Sequence, residues 1–159
     1  MIEIKPFTPA DLQLLDLQPE QGQLAAYFQD PAYGAELARH ADRWGAMTLW
    51  LDGTPRACAG LLPKWQGVLT AWAAITPAIP PRAWACIAAV MEGRLQRALA
   101  DPAWWRVETH VLDGWPPGHV LMRHLRFVPE GLHPCWGPDG RDYWVYGRLC
   151  PPAPKQEIV

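Results

Sequence analysis

Charge is scarce in this 159-residue chain: Asp, Glu, Lys and Arg make up 19% of it, against roughly 25% in an average soluble chain. The 14 basic and 16 acidic side chains leave a net charge of −2, and no basic block occurs. A phosphate-tracking nucleic-acid partner is therefore not expected. Cysteine is sparse too. Cys58, Cys86, Cys135 and Cys150 include no C-x-x-C pair, so reduced thiols are expected rather than a disulfide framework or zinc. His133-Pro134-Cys135 has no second ligand pair at metal spacing, and no metal is expected. There is no G-x-S-x-G, no P-loop and no H-E-x-x-H, which leaves nucleophilic, phosphoryl-transfer and metalloprotease chemistry without a motif. An internal repeat is also absent.

No apolar run is long enough to cross a membrane unbroken. From Val68 to Met91 the only charge is Arg82, but Pro77, Pro80 and Pro81 interrupt the middle of the stretch. A helix does not continue through that cluster, and a central Arg adds about 2.5–3.5 kcal/mol to insertion. The stretch reads as a buried strand, a proline corner and a helix. Met1-Ile2-Glu3-Ile4-Lys5 shows no basic start before an apolar run, so neither a secretory signal nor a membrane partner is expected.

What the chain has is apolar bulk: half of its residues, among them ten Trp. That supplies one core for one domain, expected over residues 1–150. Pro151 to Val159 reads as a flexible, polyproline-like tail.

Ile2 to Phe7 alternates apolar and charged residues, which predicts a strand. Thr8 then caps a helix with Pro9 first and Asp11 third, a capping box, with Phe7 and Leu12 as hydrophobic staple. This helix is expected to run to about Leu17. Asp30-Pro31 repeats the cap, and Tyr33, Leu37, His40, Ala41 and Trp44 form an apolar stripe. His40 on that stripe reads as a packed core histidine. Two apolar runs, Ala46 to Leu51 and Arg56 to Pro63, flank Asp52-Gly53 as a hairpin. Val68 to Ile75 is a central strand. Pro81 to Ala100 is a helix with Trp84, Ile87, Met91, Leu95 and Ala98 on one face and Glu92, Gln96 and Arg97 toward water. Arg106 to Leu112 alternates as a strand, Gly118 to Leu125 is a short helix, and Phe127 to His133 and Asp142 to Leu149 close a hairpin. The order β-α-α-β-β-β-α-β-α-β-β implies a mixed sheet covered on both faces.

This order resembles the GCN5-related N-acetyltransferase (GNAT) superfamily. Leu121-Met122-Arg123-His124-Leu125-Arg126-Phe127-Val128-Pro129-Glu130-Gly131 is similar to that family's L-Y-x-x-L-G-F-x-x-x-G helix signature. The segment from Arg106 to Leu149 also resembles the GNAT-like proteins of tailed phages, some of them called internal virion protein A-like. The resemblance implies an α/β (α+β) fold with a mostly antiparallel sheet of about six or seven strands. It also implies a V-shaped gap between two central strands, roofed by the amino end of the helix that Trp84 helps anchor. Acetyl-CoA or CoA, bound as a substrate and not as a tight cofactor, would meet Ala74, Ile75, Arg82, Ala83, Trp84 and Ala85.

The chain departs from the family pattern in its chemistry. Where the family places Q/R-x-x-G-x-G/A to cradle pyrophosphate, this chain has Pro77-Ala78-Ile79-Pro80-Pro81-Arg82-Ala83-Trp84-Ala85, without glycine and with two residues lacking an N–H. Arg82 and free amides of Ala83, Trp84 and Ala85 are what remains to attract an anion. Met122 stands at the position of the acid tyrosine, Arg126 at the glycine and Pro116 at a common asparagine.

An acyl transfer needs a base for the amine and an acid for the thiolate. Glu108, His110 and Tyr143 are the candidate catalytic residues, with His119 and Tyr146 as further ones. Each also has a structural reading: Glu108 in a salt bridge with Arg106 or Arg141, the histidines as surface or packing residues, the tyrosines as sheet aromatics. Two functions follow. One is an acyl-CoA-dependent N-acyltransferase acting on an amine, in the cytoplasm of a cell or of a phage host. The other is a non-catalytic phage virion, morphogenesis or host-factor-binding protein, located in the virion or host, that binds other proteins through Trp65, Trp104, Trp105, Trp115 and Trp136.

Overall fold

The computed structural model describes residues 1–77 and 79–150, apart from the side chains of residues 23, 24, 29 and 42–44. The strands are β1 (Ile2–Pro6), β2 (Met47–Leu51), β3 (Thr54–Trp65), β4 (Val68–Ile75), β5 (Arg106–Leu112), β6 (Val128–His133) and β7 (Tyr143–Leu149). The helices are α1 (Pro9–Gln13), α2 (Ala25–Gln29), α3 (Pro31–Trp44), α4 (Pro81–Ala100) and α5 (Pro116–His124), with a 3-10 turn over Pro19–Leu24. The strands form one seven-stranded sheet in the order β1-β2-β3-β4-β5-β7-β6. Only β4 and β5 run parallel; every other neighbouring pair is antiparallel. This is the mixed, mostly antiparallel α/β architecture anticipated above.

Local chemistry explains most element boundaries. Asp52 and Gly53, at φ 50° and 78°, make the two-residue turn that joins β2 to β3, the left-handed geometry that matches strand twist. The Asp30 carboxylate accepts the Ala32 amide at 2.9 Å and starts α3. At α1 the Thr8 amide donates to Asp11 at 2.9 Å. That helix ends at Gln13, four residues short of the expected Leu17, because the chain turns so that the Gln18 amide meets the Ile75 carbonyl at 3.1 Å. Residues 19–29, which carry no clear sequence pattern, form the 3-10 turn and α2. α5 starts at Pro116 rather than Gly118, since prolines in a first turn forfeit no helical bond.

Alternate residues of the central strands feed two cores. Trp72 and Ala74 pack with Phe7, Leu12 and Leu37 under α1 and α3; Phe7 meets Trp72 edge to face, 5.3 Å between centroids. Leu69, Val107 and Val111 pack on the other face with Leu95 of α4 and Leu121 of α5. Glu92, expected to face water, instead binds Arg148 of β7 at 2.6 and 3.0 Å, tying α4 to β7 on the face it covers. His40 is half-buried and pairs with Glu36 at 3.2 Å rather than with the core. All four cysteines are free. No helix among the described residues is long and apolar enough to cross a membrane. The expected tail, residues 151–159, lies outside the described residues, as do Ala78 and the Trp44 side chain.

Candidate active site

β4 and β5 pair at only three positions, Val68 with Arg106, Leu69 with Val107 and Thr70 with Glu108. Beyond them the strands part, and the implied V-shaped gap is present. At the fork the Thr109 hydroxyl donates to the Ala71 carbonyl at 2.9 Å, a side chain completing the last rung. Farther out, the edge of β4 is satisfied by the 3-10 turn. The Gln21 carboxamide donates to the Ala73 carbonyl at 2.8 Å and accepts the Ile75 amide at 2.8 Å. An exposed strand edge needs such partners.

Three cavities lie around this fork. A groove of about 500 Å³ separates α4 from α5, lined by Trp84, Ala85, Ala88, Pro116, Val120 and Leu121 among others. Leu121 also lines a small apolar cavity of about 60 Å³, together with Met91, Met122 and Thr109. On the opposite side of the sheet lies a chamber of about 480 Å³ walled by aromatic residues. The small cavity and the chamber share Ala71, Trp72, Ala73 and Thr109, so they abut across the fork.

The carboxyl end of β4 leads into α4 through the proline corner. Pro80 caps α4 without a side-chain bond. Its carbonyl takes the amides of Ala83 at 2.9 Å and Trp84 at 3.1 Å, so those two N–H groups, expected free, point inward. Arg82 is exposed beside them. Of the other expected cofactor residues, Trp84 and Ala85 open into the α4–α5 groove, whereas Ala74, Ile75 and Ala83 are fully buried.

His110 and Tyr143 come together in the chamber wall. The His110 ring stacks on Trp136, 3.9 Å between centroids and 5° from parallel, and its Nε2 lies 3.3 Å from Nδ1 of the exposed His133. Burial, reinforced by repulsion from His133, holds His110 at a pKa of about 4; the imidazole is neutral at pH 7. Burial also raises the Tyr143 phenol above its ordinary value.

Glu108 does not line the chamber. It binds Lys64 and, at 3.1 Å, Arg106, which in turn clamps Glu130. Burial works to raise its pKa, but hydrogen bonds from Lys64 and Arg106 outweigh that and keep the carboxylate below its usual range. Its salt-bridge reading is realised with Lys64 and Arg106.

His119 sits in the first turn of α5. Its Nε2 is 3.1 Å from the Leu112 carbonyl and its Nδ1 2.7 Å from the Tyr146 hydroxyl. A carbonyl only accepts, so Nε2 is the donor to Leu112. The pair is half-buried structural bonding at the end of β5, and neither residue lines any of the three cavities.

Sequence reasoning missed Gln21, Tyr27 and Tyr33, which lie in or beside the unpatterned segment 18–29 or on a helix read as core. Trp136 was singled out only as a surface aromatic. Among the described residues no group of three or more His, Cys, Asp or Glu is placed to hold a metal.

No protein-family model and no curated protein matches the sequence. Solved structures do match in shape. A GNAT-family acetyltransferase from Streptococcus pneumoniae superposes with a TM-score of 0.66 at 13% identity, over 95% of this chain and 100% of that one. A GNAT-superfamily phosphinothricin acetyltransferase from Sinorhizobium meliloti, solved in complex with AcCoA, gives 0.66 at 18% identity over 94% and 88%. A ribosomal-protein-alanine N-acetyltransferase from Brucella melitensis gives 0.66 at 16% identity over 92% and 99%. At these identities the likeness is one of fold, and the fold is that of the GNAT acetyltransferases.

Proposed function

We propose that this chain is an acyl-CoA-dependent N-acyltransferase. The observation that carries the reading is the fork, where a cavity on the α4–α5 side and an aromatic chamber on the other side share Ala71 and Thr109. A thioester brought through the groove and an amine brought through the chamber then meet at one point, which supplies the proximity that dominates such reactions.

In the reaction the amine lone pair attacks the thioester carbonyl carbon, the C–N bond forms, and the C–S bond breaks with its electron pair leaving on sulfur. An apolar chamber disfavours the ammonium form, so the amine loses its first proton on entry. His110, already neutral, takes the second proton from the cationic intermediate, for which a weak base suffices, and passes it to His133 at 3.3 Å and on to water. A free thiol has a pKa of about 8.5, so the leaving thiolate is stable enough to depart beside Met122, which donates no proton. Tyr143 forms part of the chamber wall that orients the amine. Glu108 is a positioning residue that anchors the start of β5.

Acyl-CoA would lie along Trp84 and Ala85, with Arg82 nearest its phosphates. Without glycine amides, the phosphate cradle is degenerate: charge from Arg82 replaces backbone N–H groups, and CoA affinity becomes salt-sensitive. Thermal unfolding with CoA and acetyl-CoA tests this. Binding at 100 times the dissociation constant stabilises by about 2.7 kcal/mol, and the shift should shrink in Arg82→Ala and at high salt. No shift at millimolar CoA or acetyl-CoA overturns the proposal.

A second reading is a non-catalytic phage virion or host-factor-binding protein on the same scaffold. Its support is the exposure of Trp65 (59%) and Trp105 (48%), both at the closed end of the fork near the Gly67 turn. Trp104 and Trp115 are only partly exposed. Failure to bind CoA, joined by loss of partner binding in Trp65→Ala, is the result that would favour it.

A further inference from the structure

The composition of the chamber selects its occupant. Among its described lining residues Tyr27, Phe28, Tyr33, Trp72, Trp136 and Tyr143 carry aromatic rings, and none carries a formal charge at neutral pH. Three carboxylates beside lining residues in the sequence are held elsewhere: Glu108 by Lys64 and Arg106, Asp139 by Arg141, and Asp142 by the Cys135 amide. A carboxylate, phosphate or guanidinium on the acceptor would lose water there with no ion to meet it.

Rings and polar groups lie side by side in this wall, the His110 imidazole stacked on Trp136. Tyr27 of α2 (52% exposed) and Trp136 of the β6–β7 loop (49% exposed) are the outermost rings, brought to the chamber by separate elements. Gln21, Thr70, Thr109 and His110 supply its polar side chains, and Thr109 sits at the fork itself. A flat, apolar ligand that bears one hydrogen-bonding nitrogen matches these rings and the polar groups beside them. Its volume, about 480 Å³, falls in the range of small-molecule pockets.

Resting on the acyltransferase reading, we propose that the acceptor is a primary arylalkylamine with no second charged group, its ring against Tyr27 and Trp136 and its amino nitrogen at His110 and the fork. Amino acids, polyamines and peptide N-termini carrying acidic or basic neighbours are disfavoured by the same walls.

Isothermal titration of the full chain without any CoA tests the ligand class directly, using 2-phenylethylamine, phenylalanine and spermidine. Phenylethylamine should saturate the site and bind at least about tenfold more tightly than the other two. Trp136→Ala and Tyr27→Ala, both at half-exposed positions that leave the core intact, should each weaken it by about three- to tenfold, with Trp136→Phe restoring most of the loss. Equal or tighter binding of phenylalanine or spermidine, or no saturation by phenylethylamine, overturns the proposal. A separate titration with CoA keeps the two ideas apart. Amine binding without CoA binding sinks the acyltransferase reading and leaves the ligand class standing; CoA binding with a charged amine preferred does the reverse.

Discussion

Gln21 stands beside Ile75 in place of a neighbouring strand. Its carboxamide accepts the Ile75 amide and, through its NH₂, donates to the Ala73 carbonyl, both at 2.8 Å. Gln21 is only 7% exposed, so Gln21→Ala leaves two buried backbone groups without partners. Urea unfolding should show a loss of about 1–3 kcal/mol. An unchanged urea midpoint would contradict this packing.

Arg126 closes α5 in a left-handed conformation, φ 59°, where the resembled signature has glycine. The bond from the Phe127 amide to the Met122 carbonyl at 2.9 Å completes the helix stop. A side chain in that region costs energy that glycine avoids, and the Arg126–Glu92 contact at 3.9 Å is too solvated to offset it. Arg126→Gly should raise stability by about 0.5–1 kcal/mol, read as a rise in melting temperature.

His110 makes stability depend on pH in a defined window. Its pKa is about 4 in the folded chain, against the ordinary 6.5, so between those values the unfolded state binds the proton and the folded state does not. Stability therefore rises with pH across the window and falls on acidification. Denaturant midpoints measured from pH 7 down to 4 should decline, and His110→Gln should flatten that decline. Glu92, Glu108 and Glu130, held low mainly by Arg148, by Lys64 with Arg106 against burial, and by Arg106 respectively, add their losses only at lower pH, as each protonates.

The thiols should separate by reactivity. Cys58 is fully buried beside Thr48, and burial pushes its pKa up to about 12; Cys135 is exposed. Maleimide labelling followed by mass spectrometry should modify Cys135 first and Cys58 only after unfolding. Labelling of Cys58 in the native protein would contradict this packing.

Where the chain obeys local rules, its sequence was enough. The Asp52-Gly53 turn, the Asp30 cap and α4 from Pro81 to Ala100 were all legible because each rests on near-neighbour chemistry. The chamber was half legible. His110 and Tyr143 stood out on alternating strands, but the opposing wall comes from residues 21–33, whose 3-10 turn and short α2 have no repeating pattern and are set by long-range bonds such as Gln18 to Ile75. Glu92 was misjudged for the same reason: its partner, Arg148, lies 56 positions away.

The short seam between β4 and β5 divides the molecule into two leaves. Strands β1 to β4 form one and β5 to β7 the other, and within each leaf neighbouring strands follow one another through long antiparallel ladders. Between them the backbone is stitched at three positions and then relies on side chains, Thr109 within the seam and Lys64 of β3 reaching Glu108 of β5. The backbone ladder is thus interrupted along a single crease, and there the cavity under α4 and the chamber on the other face share one wall.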